Sequence, residues 1–129
     1  MDIRPAKLVR IVESSESWLE VVNEAKSFTW TRRCEVALIG IDDGRLLLVS
    51  GGADGLMFES LDGKVWVTVD DKPLCVVSLA WHTHPRATGP SDHDRHFLRL
   101  LRQRSSVIYE MFTDGNGTRF TAFETEIDQ

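Results

Sequence analysis

Three tight-turn signals constrain this chain more than any other feature: Asp42-Asp43-Gly44, Asp62-Gly63 and Asp114-Gly115-Asn116-Gly117. Each lies between runs that read as strands. Asp-Gly or Asn-Gly in that setting closes a hairpin, because the favoured two-residue turn needs positive φ at both central positions. Hairpins join antiparallel strands. A doubly wound parallel sheet instead needs a long crossover between neighbouring strands, so three hairpins in 129 residues exclude it.

Read in order, residues 6–12 form a first strand candidate. Ser17 and Glu20 make a capping-box pattern, and Trp18, Val21, Val22 and Ala25 then recur at helical spacing. This predicts a helix over 18–26 with its apolar stripe on the sheet, followed by a connector over 27–33 that carries Phe28 and Trp30. Residues 34–41 are apolar on both faces and predict a buried strand, returning over 45–50. Gly51-Gly52-Ala53-Asp54-Gly55 lacks the Lys-Ser/Thr of a phosphate loop and no helix follows, so it reads as a loop without nucleotide binding. Residues 56–61 and 64–69 flank the second hairpin, with 64–69 suited to a sheet edge; 70–73 turn the chain into a strand from Leu74. A second helix is expected over about 92–104, and strands over 107–113 and 118–125 flank the third hairpin. The expected architecture is α/β, a mostly antiparallel sheet with two helices, in one domain over 1–129.

Composition narrows the function. Apolar residues make up 42% and charged residues 27%, an ordinary globular balance. A net charge of −5 argues against a general nucleic-acid binder, which is usually basic. No apolar run reaches transmembrane length, and Met1-Asp2-Ile3-Arg4-Pro5 offers no signal-peptide core. Cys34 and Cys75 stand in strand-like apolar contexts without a Cys-x-x-Cys pair, and read as buried free thiols of a reducing cytosol. The expectation is a cytoplasmic protein with neither nucleic acid nor membrane as partner. Asn116-Gly117-Thr118 matches a glycosylation sequon but, without a secretory signal, reads as a turn.

The chemistry concentrates in residues 81–94. Side chains of a strand alternate faces, so His82 and His84 point the same way and two imidazoles can grip one metal ion. Pro85 ends the ladder, 86–90 form a loop, and Ser91 reads as a helix N-cap. On that helix Asp94 shares a stripe with Phe97, Leu98 and Leu101, the stripe that faces the core. A carboxylate there is costly unless a charge meets it, and a metal held by His82 and His84 would. Two histidines and one carboxylate leave a fourth tetrahedral position open, the pattern of catalytic zinc. The plainer alternatives are an ordinary capping box at Ser91 and Asp94, and two surface histidines on an edge strand. Imidazole must be neutral to bind, so zinc affinity is expected to fall below about pH 6.

Glu35 opens the buried strand over 34–41, where a carboxylate needs a reason. It reads either as a general base or as a strand-end residue reaching water or pairing with Arg32 or Arg33. Arg95, Arg99 and Arg102 line the outer stripe of the second helix as a solvated face, or as contact for an acidic partner. His93 and His96 are expected on the surface.

His82-Thr83-His84-Pro85, followed by Ser91 and Asp94, resembles the metal-binding signature of the JAMM (JAB1/MPN/Mov34) metalloproteases. Many of these are zinc isopeptidases that remove ubiquitin or ubiquitin-like proteins. Detailed similarity is confined to this stretch, while the order of elements agrees over most of the chain. The resemblance implies a cytidine-deaminase-like JAB/MPN domain, a curved and mostly antiparallel or mixed sheet flanked by two main helices. It implies one zinc ion on His82, His84 and Asp94, with Ser91 helping to stabilise an oxyanion. It also implies an upstream Glu that acts as base through the zinc-activated water. In the family that residue follows the first helix and opens a strand, the location of Glu35, with Glu59 in reserve. Family members often carry a glycine three residues later, where this chain has Leu38.

The implied substrate is the amide bond after the C-terminal Gly-Gly of a ubiquitin-like protein, with E1- or E2-like proteins as pathway partners. The chain is close to the bare domain and looks like the small prokaryotic members, some of which trim sulfur-carrier proteins instead. Two rivals stand beside this reading. A non-catalytic MPN scaffold is disfavoured by the intact ligands. A RadC-like, DNA-repair-associated protein shares His-x-His-Pro but is disfavoured by the acidic charge and by the absence of a helical DNA-binding module.

Overall fold

The structure is a computed structural model and describes residues 1–127. Its elements run β1 (Ile3–Arg4), β2 (Lys7–Val12), α1 (Trp18–Arg32), β3 (Val36–Ile41), β4 (Leu46–Ser50), β5 (Gly55–Leu56), β6 (Glu59–Leu61), β7 (Lys64–Val69), β8 (Lys72–His84), α2 (Asp92–Leu101), β9 (Ser105–Asp114) and β10 (Gly117–Glu126). The main sheet runs β10-β9-β8-β3-β4-β2, with β7 also on β8 and β6 on β7. β1 and β5 pair separately and in parallel.

The three hairpins form where their turn residues stand, β3–β4, β6–β7 and β9–β10, all antiparallel. At Asp62-Gly63 both residues have positive φ, 55° and 73°, as a two-residue turn that follows strand twist requires. The long strand β8 organises the rest. One edge pairs with β3. The other pairs antiparallel with β7 over its first half and parallel with β9 over its second, from Trp81↔Val107 to His84↔Glu110. The parallel partner is reached through α2, as a parallel connection requires. The sheet is therefore mixed and the class α/β, with two helices.

The helices cover opposite faces. Val21, Val22 and Ala25 of α1 pack with Leu38, Leu48 and Trp81. Phe97 and Leu98 of α2 pack with Ile39, Val49, Val67 and Leu79. Strand alternation explains the split, since neighbours such as Leu48 and Val49 serve different faces.

Several expectations are corrected. α1 does not stop at Lys26; it runs through the expected connector to Arg32 and ends on Arg33 at φ 55°. Ser17 is its N-cap residue but makes no side-chain cap bond, and Trp18 is exposed rather than part of the buried stripe. α2 ends at Leu101, where Arg102 turns left-handed, short of Arg104. The strand expected from Cys34 begins at Val36, and residues 56–61 split into β5 and β6. β7 is not an edge, because β6 covers it. Both cysteines are free, but only Cys75 is buried; Cys34 is half-buried in the bend before β3. Among the described residues, no helix is long and apolar enough to cross a membrane.

Candidate metal centre

β8 reaches the site with alternating faces. Trp81 and Thr83 point toward α1, while His82 and His84 point toward α2. α2 begins at the same place. The Ser91 hydroxyl accepts from the Asp94 backbone N–H at 3.1 Å, and the Ser91 N–H donates to Asp94 Oδ2 at 2.9 Å, a closed capping box. That box turns the Asp94 carboxylate inward onto the two imidazoles.

Three side chains then form a triangle, with Asp94 turning a different oxygen to each histidine. His82 Nε2 lies 3.1 Å from His84 Nε2 and 3.1 Å from Asp94 Oδ1, and His84 Nε2 lies 3.1 Å from Asp94 Oδ2. Bonds of 2.0–2.1 Å on one tetrahedral ion separate the donors by about 3.3 Å, so the triangle has the size that zinc would ask of it. Glu35 stands just outside, its Oε1 4.0 Å from His82 Nε2 and its Oε2 3.7 Å from His84 Nε2. All four residues are buried and together could hold a metal ion. Among the described residues, only histidines come within ion-pair distance of Glu35 and Asp94. With no Lys or Arg at the cluster, the two buried carboxylates are balanced by protons held within it, a role that a bound cation could take over.

The protonation states show how that balance is reached. Burial pushes the Glu35 carboxyl up to about 8, against the pull of His84 and with the help of Asp94 and Asp54. Burial drives the His82 ring toward its neutral form and lowers its pKa, partly opposed by Asp94. At His84 burial acts in the same direction but is outweighed by Asp94, Glu35 and Glu110, which hold the ring at about 9. Burial would raise Asp94, yet the hydrogen bonds from His82, His84 and the Ser91 backbone keep it well below the usual carboxylate range.

Of the residues singled out from sequence, His82, His84, Asp94 and Glu35 come together here. Ser91 lines the opening above Glu35 and His84 beside Asp54 and Arg86, which pair at 3.2 Å. The alternatives for Glu35 are not realised: it is buried, Arg33 turns to Met111 and Arg32 lies over Phe28. Glu59 is exposed on β6 and lies outside the cluster. His96 is exposed as expected, but His93 is half-buried. The His93 Nε2–H donates to the Leu56 carbonyl at 2.7 Å and its ring packs on Phe58 at 4.6 Å. It also presses on Gly55, where a Cβ would meet the ring at 2.8 Å, and so ties β5 to the start of α2.

Glu110 was missed. It is buried on β9, level with His84 on β8. Its Oε2 accepts from His84 Nδ1 at 3.1 Å and from the Gly89 N–H at 2.8 Å. A proton kept on Nδ1 leaves the Nε2 lone pair for the site, the usual outer support of a metal-binding histidine. His82 Nδ1 has no such partner among the described residues. The available signal was a carboxylate in the apolar run from Val107 to Phe112, two residues on from the inward Ile108. Comparison with known protein families, curated proteins and solved structures finds no match to this chain.

Proposed function

We propose that this chain is a zinc-dependent metallopeptidase of the JAMM type, built on a JAB/MPN domain. Its substrate is the amide bond after the C-terminal glycine of a ubiquitin-like protein. One observation carries the reading. Two histidines and Asp94 form a triangle of side chains with 3.1 Å contacts, and the buried carboxylate of Glu35 stands beside it at 3.7–4.0 Å. A structural zinc site closes all four positions with protein ligands; three ligands here would leave one open, with Glu35 beside it as the proposed base.

His82, His84 and Asp94 would hold the zinc ion. When bound, zinc supplies Lewis acidity, which polarises a carbonyl and brings the pKa of water toward neutrality. Glu35 takes a proton from the attacking water and returns it to the leaving amine. Its place beside both imidazoles, within 3.7–4.0 Å of their Nε2 atoms, lets one carboxylate serve both transfers. Ser91 accepts from the Asp94 N–H through its lone pairs. Its own proton remains to be donated to a developing oxyanion. Neither thiol is required, since water is the nucleophile. The substrate class rests on the resemblance of residues 82–94 to the family signature.

The test is cleavage of a ubiquitin-like protein extended past its C-terminal Gly-Gly, with elemental analysis of the same samples. Wild type should hold one zinc per chain and cut after the glycine, a zinc chelator should stop it, and cysteine alkylation should not. His82→Ala/His84→Ala with undiminished zinc would overturn the ligand assignment. A zinc-loaded wild type that cuts no such substrate would overturn the activity.

A further inference from the structure

We propose that Thr83 is the positioning residue that sets Glu35 against the metal-binding triangle; the inference rests on the function proposed above. The last register pair between β3 and β8 is Ala37 with His82. Continued by one step, the ladder would pair Val36 with Thr83. A hydroxyl takes over there. The Val36 N–H donates to Thr83 Oγ1 at 2.9 Å, and Thr83 Oγ1 stands 3.4 Å from the Val36 carbonyl. Val36 directly follows Glu35, so this bond closes the pairing of β3 with β8 one residue from the base.

The same oxygen meets Thr29 Oγ1 of α1 at 2.5 Å. Thr29 and Thr83 are both fully buried. On its other side Glu35 is held by backbone bonds alone, Glu35 N–H to the Gly52 carbonyl and Gly51 N–H to the Glu35 carbonyl, both 2.9 Å. Strand alternation does the rest. The residue between two ligand histidines must point to the opposite face. A side chain there can reach the base-bearing strand without touching the metal. A threonine hydroxyl satisfies a backbone donor that regular pairing would otherwise serve, while its strand position moves with the ligands. Ligand strand and base strand thus keep one spacing.

Thr83→Val keeps the shape and removes the hydroxyl. In the metal-free protein, hydrogen exchange at the Val36 amide should speed up at least tenfold, while Leu38 and Ile39 in the intact ladder do not change. In the zinc-loaded protein, zinc content should stay at one per chain and KM should hold. kcat should fall about 10-fold to 100-fold, as expected for a displaced catalytic group. Thr83→Ser should restore both exchange and kcat. Should Thr83→Val fail to fold, Thr83→Ala is read in the same way. Unchanged Val36 exchange, an unchanged kcat, loss of zinc together with rate, or a serine variant as impaired as valine would each overturn the proposal. The exchange measurement needs no substrate. A wild type inactive on every glycine-extended substrate would therefore overturn the function, while the hold of Thr83 on Val36 is still read from exchange.

Discussion

Replacing Glu35 with Gln should stabilise the metal-free fold and abolish the proposed peptidase activity. The residue is 6% exposed, and burial moves its pKa from the ordinary 4.5 to about 8. Below pH 4.5 the folded and unfolded chains both hold the proton, and the contribution to stability is fully present. Between 4.5 and about 8 the unfolded chain releases a proton that the folded chain keeps, so stability falls as pH rises, and the loss is complete above about 8. At 1.36 kcal/mol per pH unit, the interval from 4.5 to about 8 corresponds to roughly 5 kcal/mol, an upper bound because water and side chains relax around the charge. Gln keeps the shape without the charge. Metal-free Glu35→Gln should therefore match wild type near pH 4 and exceed it by up to about 5 kcal/mol at pH 8 and above. Urea unfolding of both proteins from pH 4 to 9 measures the difference. The variant should still bind one zinc and should lose about 10²-fold or more in rate, as for a removed general base. A stability difference that does not change with pH, or one that shrinks as pH rises, would refute the burial argument. Full activity in Glu35→Gln would refute the assignment of the base.

Three further outcomes follow from the same geometry. With His84 held at about 9, zinc must displace a proton from it at neutral pH, so apparent affinity should drop tenfold per pH unit below about 9, not below the pH 6 of an ordinary imidazole; competition with a chromophoric chelator from pH 6 to 9.5 checks this, and a plateau already reached at pH 7 contradicts it. Glu110→Gln should weaken zinc binding by about 10-fold to 100-fold by loosening the His84 tautomer, measured in the same competition assay, and undiminished affinity would make Glu110 a strand residue only. Ser91→Ala should cost about 1 kcal/mol of stability as a lost cap, and also about 10²–10³ in kcat if its hydroxyl serves the oxyanion; calorimetry and single-turnover rates on one sample separate the two roles.

Much of this was legible because the signals are local. A two-residue turn depends on its own residues, so Asp62-Gly63 could be read directly. His82, His84 and Asp94 could be placed by two short-range periodicities, strand alternation and the helical stripe. What was not legible depends on distant packing. The apolar spacing that marks α1 fades after Ala25, and Phe28, Thr29, Trp30 and Thr31 are weak helix formers whose preference tertiary contacts override. The misread turns of the helix are the ones that carry Thr29 to Thr83. Glu110 meets His84 only through the parallel register of β8 and β9, 26 residues apart in sequence, and a strand pattern does not name its partner. His93 looked solvent-facing because its half-burial comes from β5 and Phe58, not from its own helix.

Asp94 explains why the fold and the site are hard to separate. A capping box usually carries Glu or Gln at its fourth position, long enough to reach back to the N-cap. Here the shorter Asp closes the box with Ser91 at 2.9 Å and still presents Oδ1 and Oδ2 to two histidines at 3.1 Å each. The start of a helix is also where a negative charge is favoured by the backbone dipoles. The carboxylate is thus held ionised by the helix end and the histidines whether or not a metal is present, in keeping with a pKa far below the usual range. Asp94→Asn should expose this double duty. An amide can still serve Ser91, so the helix start should survive, while the triangle loses its only anion and with it most of its zinc. An Asp94→Asn protein that unfolds before zinc can be measured would place the carboxylate in the fold first. One that folds and keeps full zinc would remove Asp94 from the ligand set.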